Sequence, residues 1–233
     1  MARIDGRAND QLRPIEIIPN FNKFAEGSCL IRCGNTQVLC CASVEERTPP
    51  HVPEGEGWVT AEYSMLPRAN RERSKRDVSK LKLSPRSAEI QRLVGRSLRA
   101  CVDMKKLGER TVTIDCDVLQ GDGGTRTASV TGGYVALALA LKKVGAADAL
   151  VDQVAAVSAG IVDDQLLLDL CYEEDSSAQV DLNCVMTGDG KLVELQGTGE
   201  GRAFTVEEQR ALVDLCAKGI ARLQEIQNKV LEG

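Results

Sequence analysis

Residues 111–143 restrict the fold more than any other segment. In Thr111-Val-Thr-Ile-Asp-Cys-Asp-Val, the residues Val112, Ile114, Cys116 and Val118 fall on one side, and the threonines with Asp115 and Asp117 on the other. A period of two is the mark of a strand with one buried face. The strand runs into Gln120-Gly-Asp-Gly-Gly-Thr-Arg-Thr, and residues 128–143 then read as a long apolar helix. Strand, glycine turn and apolar helix in direct succession call for a layered architecture of sheets and helices. With 233 residues and 43% hydrophobic content the chain is long and apolar enough to bury such a core, which excludes disorder.

The other elements fit the same architecture. Strands are expected at 14–18, 28–33, 36–44 and 57–63, the second and third joined at Gly34-Asn35, a hairpin signal. A helix opens at Ser84-Pro85, an N-cap followed by the proline favoured at the first helical position, and is expected to reach about Leu107. Ile90, Leu93, Val94, Leu98, Cys101 and Val102 mark its inner side, with Arg92, Arg96 and Arg99 opposite. Further strands are expected at 155–161, 165–172, 179–186 and 192–196, then a final helix from Thr205 to about Leu231. No linker or break in composition divides the chain. Residues 1–233 are therefore read as a single α+β domain, built as two similar strand–helix halves that share a core.

Composition removes several classes of function. The longest purely apolar stretch, residues 135–141, ends at Lys142-Lys143, far short of the eighteen or so residues of a membrane helix. Residues 1–7 are charged, unlike a secretory signal. These features lead us to expect a cytoplasmic protein with no membrane partner. Nine cysteines without a CxxC pair read as buried free thiols of a reducing compartment. The one histidine, His51, lies in a proline-rich stretch, which excludes a multi-histidine metal centre and disfavours a Ser-His-Asp triad.

The formal charge of −5 hides an asymmetry. Between positions 68 and 86 stand eight cations (Arg68, Arg71, Arg73, Lys75, Arg76, Lys80, Lys82, Arg86) and two anions, a local +6 that leaves −11 on the rest. A basic band on an acidic body suits a confined polyanion site or an electrostatic contact between subunits.

Three segments can carry chemistry. In Gly121-Asp-Gly-Gly-Thr-Arg-Thr the glycines let backbone approach an anion, Thr125 adds a hydroxyl and Arg126 a two-pronged donor at the start of a helix. It is neither a Walker loop nor a dinucleotide fingerprint. A phosphate pocket and a plain capping turn both remain open on these residues alone. Arg86 occupies the first turn of its helix, where the dipole disfavours a cation until an anion binds. The third segment is Tyr172-Glu-Glu-Asp-Ser-Ser-Ala-Gln-Val-Asp-Leu-Asn, in which Asp181 projects from the polar face of a strand. Asp175, six residues earlier, shares a site with Asp181 only if the intervening residues turn back. Two such carboxylates suit a divalent cation, proton donation to a leaving oxygen, or both; a solvated acidic loop is the alternative.

Taken in order along the chain, these motifs resemble bacterial RNase PH, the phosphate-dependent 3′-to-5′ exoribonuclease family that trims tRNA precursors. The residues that carry the resemblance are Arg3-Ile-Asp-Gly-Arg7, Gly57-Trp-Val-Thr-Ala-Glu-Tyr-Ser-Met-Leu-Pro-Arg68, Glu89-Ile-Gln-Arg-Leu-Val-Gly-Arg-Ser-Leu-Arg-Ala100, Gly123-Gly-Thr-Arg-Thr-Ala-Ser129, Glu174-Asp-Ser-Ser-Ala-Gln-Val-Asp-Leu-Asn183 and Gln196-Gly-Thr-Gly-Glu-Gly201. The resemblance implies the ribosomal protein S5 domain 2-like fold. It implies inorganic phosphate as co-substrate, bound by Arg86, Gly124, Thr125 and Arg126, with nucleoside diphosphates as products. It implies Asp175 and Asp181 as catalytic carboxylates that hold a divalent cation, magnesium. Arg68, Arg73 and Arg76 would assemble a homohexameric ring, a trimer of dimers, and Arg92, Arg96 and Arg99 are candidates for contact with RNA, above all tRNA precursor 3′ ends. The reverse reaction would add nucleotides to RNA 3′ ends. Pro85 stands where the family usually has glycine, Ala88 where glutamine is common, Gly121 where alanine is common and Gly199 where alanine is usual. Two alternatives are a catalytic subunit of an exosome-type ring and a catalytically silent RNA-binding ring component.

Overall fold

The computed structural model describes residues 3–76 and 82–233. Nine strands form two sheets among these residues. The first sheet contains β1 (Ile15–Pro19), β2 (Gly27–Cys33), β3 (Thr36–Glu45), β4 (Trp58–Met65) and β5 (Thr111–Gln120), in the order β1-β2-β3-β5-β4. All its pairs are antiparallel except β4 with β5, which are parallel because helix α1 (Pro85–Arg99) crosses between them. The second sheet contains β6 (Val154–Val162), β7 (Gln165–Leu168), β8 (Val180–Thr187) and β9 (Leu192–Gly199), all antiparallel, in the order β7-β6-β8-β9. The expected hairpin at Gly34-Asn35 is present, with Cys33 opposite Thr36.

Helix α3 (Thr125–Lys143) is the centre of the molecule. It packs on β2 and β3 of the first sheet and on β6 of the second. A helix enclosed on both sides has no use for a polar face, which is why its sequence is apolar nearly all round. Leu137 and Leu141 are fully buried there, and truncating either to alanine would cost about 2–5 kcal/mol by the usual cavity rule. The last helix, α5 (Val206–Glu232), is amphipathic. It lays Leu212, Cys216, Ile220 and Leu223 against the second sheet and starts from a Thr205 cap, whose Oγ1 accepts from Glu208 N at 3.1 Å.

Three expected boundaries are corrected. The helix opened by Ser84 ends at Arg99, not near Leu107. Val102 pairs with Leu150 in an isolated bridge, and Asp103 caps a separate turn, α2 (Met104–Leu107), by accepting from Lys105 N and Lys106 N at 3.0 and 3.2 Å. The strand expected to reach residue 172 stops at Leu168, and Tyr172–Asp175 forms a one-turn helix, α4. The apolar helix begins at Thr125 rather than Ala128, so Thr125 and Arg126 stand in its first turn. All nine cysteines are free and eight are buried, as expected. No helix among the described residues is long and apolar enough to cross a membrane.

Candidate active site

The turn between β5 and α3 is shaped by two glycines. Gly123 and Gly124 have φ of +75° and +64°, the left-handed region that other residues avoid. A Cβ on Gly123 would lie 2.5 Å from the carbonyl oxygen of Leu170 and 2.9 Å from Tyr172 N. The loop that leads from β7 into α4 therefore rests directly on the turn. Thr36 supports the same turn from β3: its Oγ1 donates to Gly123 O at 2.7 Å and accepts from Asp122 N at 2.9 Å. Gly124 caps α3 without a side chain, which leaves the helix N-terminus suited to an anion.

A buried arginine fastens the turn to the loop. Arg13 donates through Nη2 to Asp169 Oδ1 at 2.7 Å and through Nε to Asp169 Oδ2 at 3.1 Å, while its Nη1 donates to Asp122 O. Asp169 is held at φ +54° and donates its N–H to Ser158 O at 2.7 Å. One residue thus grips both the glycine turn of the first half and the β7–α4 loop of the second. A few residues on, Glu174 accepts from Arg3 Nε at 2.8 Å and Nη2 at 2.7 Å, and from Cys171 N at 3.1 Å. These bonds fold α4 back on itself. The return that the sequence left open is made, and Asp175 and Asp181 line one cavity.

That cavity, about 350 Å³ in volume, has a cationic side and an acidic side. Arg86 from the first turn of α1 and Gly124, Thr125 and Arg126 from the start of α3 form the first. Asp175, Asp181, Asn183 and Glu200 form the second. Arg126 is oriented by Gln196 of β9, to which its Nη1 donates, and by Glu89 of α1 at 3.2 Å. Gln196 Nε2 donates to the same Glu89 oxygen at 3.1 Å. Tyr63 and Thr125 share a buried hydroxyl–hydroxyl hydrogen bond of 2.8 Å. Burial and then the neighbouring charge of Asp175 push Asp181 up to about 6, against the opposing pull of Arg126 and of Asn183, whose Nδ2 donates to it at 3.2 Å. Asp175 is an exposed residue, yet the cavity walls also raise its pKa by desolvation, with Arg86, Arg126 and Arg13 pulling the other way.

Other residues singled out in the sequence lie elsewhere. Arg92, Arg96 and Arg99 line a separate cleft with Trp58. Arg96 is paired with Glu194, and Arg99 lies 4.4 Å over the Trp58 ring while its Nη1 donates to Val59 O at 2.8 Å. Arg68, Arg73 and Arg76 are exposed on the segment after β4, away from the cavity. Lys80 of the basic band lies outside the described residues. His51 is exposed, edge-on to Trp58 at 5.1 Å. Pro85 sits at the first position of α1, one residue before Arg86.

The buried ion pairs were not legible beforehand. Arg13, Asp169 and Glu174 were assigned no role, and Arg3 and Arg7 entered only as part of a motif. Asp169 lies 156 residues from Arg13 and Glu174 lies 171 from Arg3, beyond any periodicity. Tyr63 left a fainter signal: it follows Val59 and Ala61 on the buried side of β4, and a buried phenol needs a partner.

The acidic side suits a hard divalent cation. Two mutually repelling carboxylates, with the Asn183 amide and the Ser176 hydroxyl beside them, are an all-oxygen donor set. No cluster of three or more histidines, cysteines or acids able to hold a metal occurs among the described residues. Such an ion would therefore keep ligands from water and from substrate phosphate, the usual habit of magnesium.

Known proteins place this architecture. The pattern of the 3′ exoribonuclease family, domain 1, matches residues 11–143, and that of its domain 2 matches residues 152–218. The chain is 55% identical over 237 residues to Ribonuclease PH of Moorella thermoacetica, covering 99% of this chain and 95% of that one. It is 56% identical over 235 residues to Ribonuclease PH of Bacillus pumilus, covering 98% and 97%. Among solved structures it superposes on rice Rrp46 with a TM-score of 0.84 over 99% of this chain and 100% of that one, at 17% identity, which speaks to fold alone. An Archaeoglobus fulgidus exosome with RNA bound to the active site matches at a TM-score of 0.79 and 27% identity, over 96% and 91%. The fold is of the ribosomal protein S5 domain 2-like type, as the sequence led us to expect. The chain belongs to the 3′ exoribonuclease family.

Proposed function

We propose that the protein is a phosphorolytic 3′-to-5′ exoribonuclease, a phosphate-dependent nucleotidyltransferase that trims the 3′ ends of tRNA precursors. Relatives named Ribonuclease PH, at about 55% identity over nearly the whole chain, support this reading. The observation that carries it is the two-sided cavity, in which groups that hold an anion face groups that serve a leaving oxygen.

Inorganic phosphate is held by Arg86, Gly124, Thr125 and Arg126 at the N-termini of α1 and α3. The two guanidinium groups partly neutralise it and aim it at the last phosphodiester of the RNA. Attack releases a nucleoside diphosphate and leaves a 3′-hydroxyl on the shortened RNA. Because Asp181 is pushed up to about 6, it carries a proton in part of the population near neutral pH and gives it to the departing ribose oxygen. When both are ionised, Asp175 and Asp181 would instead hold a divalent cation, magnesium, which would neutralise charge on the phosphodiester. The bonds exchanged are alike in kind, so the reaction runs in reverse when diphosphate is abundant.

The functional unit is one domain, 1–233, because α3 is core to both sheets. It works in the cytoplasm as a homohexameric ring, a trimer of dimers. The exposed Arg68, Arg73 and Arg76 make contacts between subunits, and Arg92, Arg96 and Arg99 contact the RNA backbone.

The test is to incubate the protein with labelled RNA, with and without phosphate, and identify the released nucleotide. Nucleoside diphosphate released only with phosphate is the expected result. Monophosphate released without phosphate would establish hydrolysis, and no release under either condition would leave a binding-only ring component.

A further inference from the structure

Tyr63 has no assigned part in the reaction, yet it is bonded to Thr125 on the cationic side of the cavity. It follows Val59 and Ala61 on the inner side of β4, where its ring is 2% exposed. The hydroxyl meets Thr125 Oγ1 at 2.8 Å, in the first turn of α3. The charge of the Arg86 guanidinium, from the first turn of α1, acts on the same phenol. Arg86 and Thr125 both line the cavity; Tyr63 lies behind them and does not.

Counting protons gives this chain a direction. An ionised phosphate oxygen only accepts, so the Thr125 hydroxyl gives its one proton to a bound anion. The phenol has a single proton, and Thr125 Oγ1 is the partner left for it. Burial raises the phenol pKa, so that proton stays in place across the working range of pH. Thr125 Oγ1 is thereby made the acceptor, and its own proton is free for an oxygen in the cavity. A row of hydrogen bonds oriented one way strengthens each member, most of all in a low-dielectric interior. With the phenol removed, the threonine hydroxyl loses the donor that fixes its direction and pays to reorient when the anion arrives.

We propose that Tyr63 is a positioning residue for the nucleophile: it turns the Thr125 hydroxyl proton toward bound phosphate. This rests on the reading of Arg86 and Thr125 as phosphate ligands. It adds a third element, β4, to a phosphate site built from two helix termini. It also gives Tyr63 a job separable from packing, because Phe at this position keeps the ring and removes only the hydroxyl.

The experiment is a double-mutant cycle on Tyr63→Phe and Thr125→Ala, reading the KM for phosphate, the KM for RNA and kcat. Tyr63→Phe is expected to raise the KM for phosphate about tenfold, the scale of one hydrogen bond serving a charged ligand, and to leave the KM for RNA unchanged. In the Thr125→Ala background the same change is expected to cost about twofold or less, because its route to the anion is already cut. Wild-type KM for phosphate in Tyr63→Phe would overturn the proposal. So would a full tenfold effect in both backgrounds, since Tyr63 would then act without Thr125. Equal rises in the KM for phosphate and for RNA would reduce Tyr63 to general packing and overturn it as well. If the wild-type enzyme releases nucleotide without phosphate, the phosphorolysis reading fails and this inference with it. Phosphate dependence in the wild type combined with any of these three results sinks this inference alone.

Discussion

The two halves of the molecule contribute opposite charges to the same cavity, and they do so by different means. The first half presents Arg86 and Arg126 from the first turns of two full-length helices, each anchored over a sheet. The second half presents Asp181 from a strand and Asp175 from a helix of a single turn. Helix N-termini supply fixed backbone and a dipole that favours the anion rather than the arginines, so the cationic side is rigid and ready for phosphate. A single turn has no such support and is held by buried charges instead: Glu174 by Arg3, and Asp169 by Arg13. The lesson is that the chemistry belongs to neither half. It exists at their seam, and the arginine–carboxylate pairs across the seam set the register.

This contrast can be broken in three ways, beginning with the largest effect. Arg126→Ala removes one of the two guanidinium groups of the cationic side and Asp181→Ala one of the carboxylates of the acidic side. Each is expected to lower turnover by roughly a thousandfold or more while the circular dichroism spectrum is kept, since each removes a group that acts on the reacting atoms. Either variant retaining more than about a tenth of wild-type diphosphate release would show that one side suffices. Next, Arg13→Met leaves buried Asp169 with only the longer Arg7 contact at 3.8 Å and unties the glycine turn from the β7–α4 loop. A loss of about 3–5 kcal/mol in urea denaturation is expected. A loss below about 1 kcal/mol would mean that apolar packing around α3 alone aligns the halves.

The smallest effect concerns Asp181 itself. Its pKa is about 6 in the folded protein against 3.8 for the free side chain, so the folded state takes up a proton before the unfolded state does. Stability is therefore lowered in full above about pH 6, and is recovered as pH falls through 6 toward about 4. With divalent cations chelated, Asp181→Asn is expected to melt above the wild type at about pH 8, by a few degrees at most. The difference should vanish below about pH 4. Asp181→Asn melting below the wild type at about pH 8 would instead mean that Arg126 stabilises the carboxylate by more than burial and Asp175 destabilise it.

Much of this was written locally. The alternation over 111–118, the apolar run over 128–143 and the Ser84-Pro85 start each depend on neighbours within a few residues, and each element is present, the apolar helix starting three residues early at Thr125. Ends were less legible, because ends depend on distant partners. Nothing near Ala100 stops a helix except the bridge from Val102 to Leu150 and the Asp103 cap beyond it. Nothing within 165–172 ends a strand except Arg13, which draws Asp169 into a left-handed conformation from 156 residues away. The fold class, the glycine turn and the identity of the charged groups follow from the sequence by itself, because they rest on residue type and short spacing. Only the tertiary structure decided that Asp175 joins Asp181, that Arg126 is aimed by Glu89 and Gln196, and that Tyr63 stands behind Thr125. Each of these is a contact between elements, and the free energy that makes it comes from burial and charge pairing that no single segment contains.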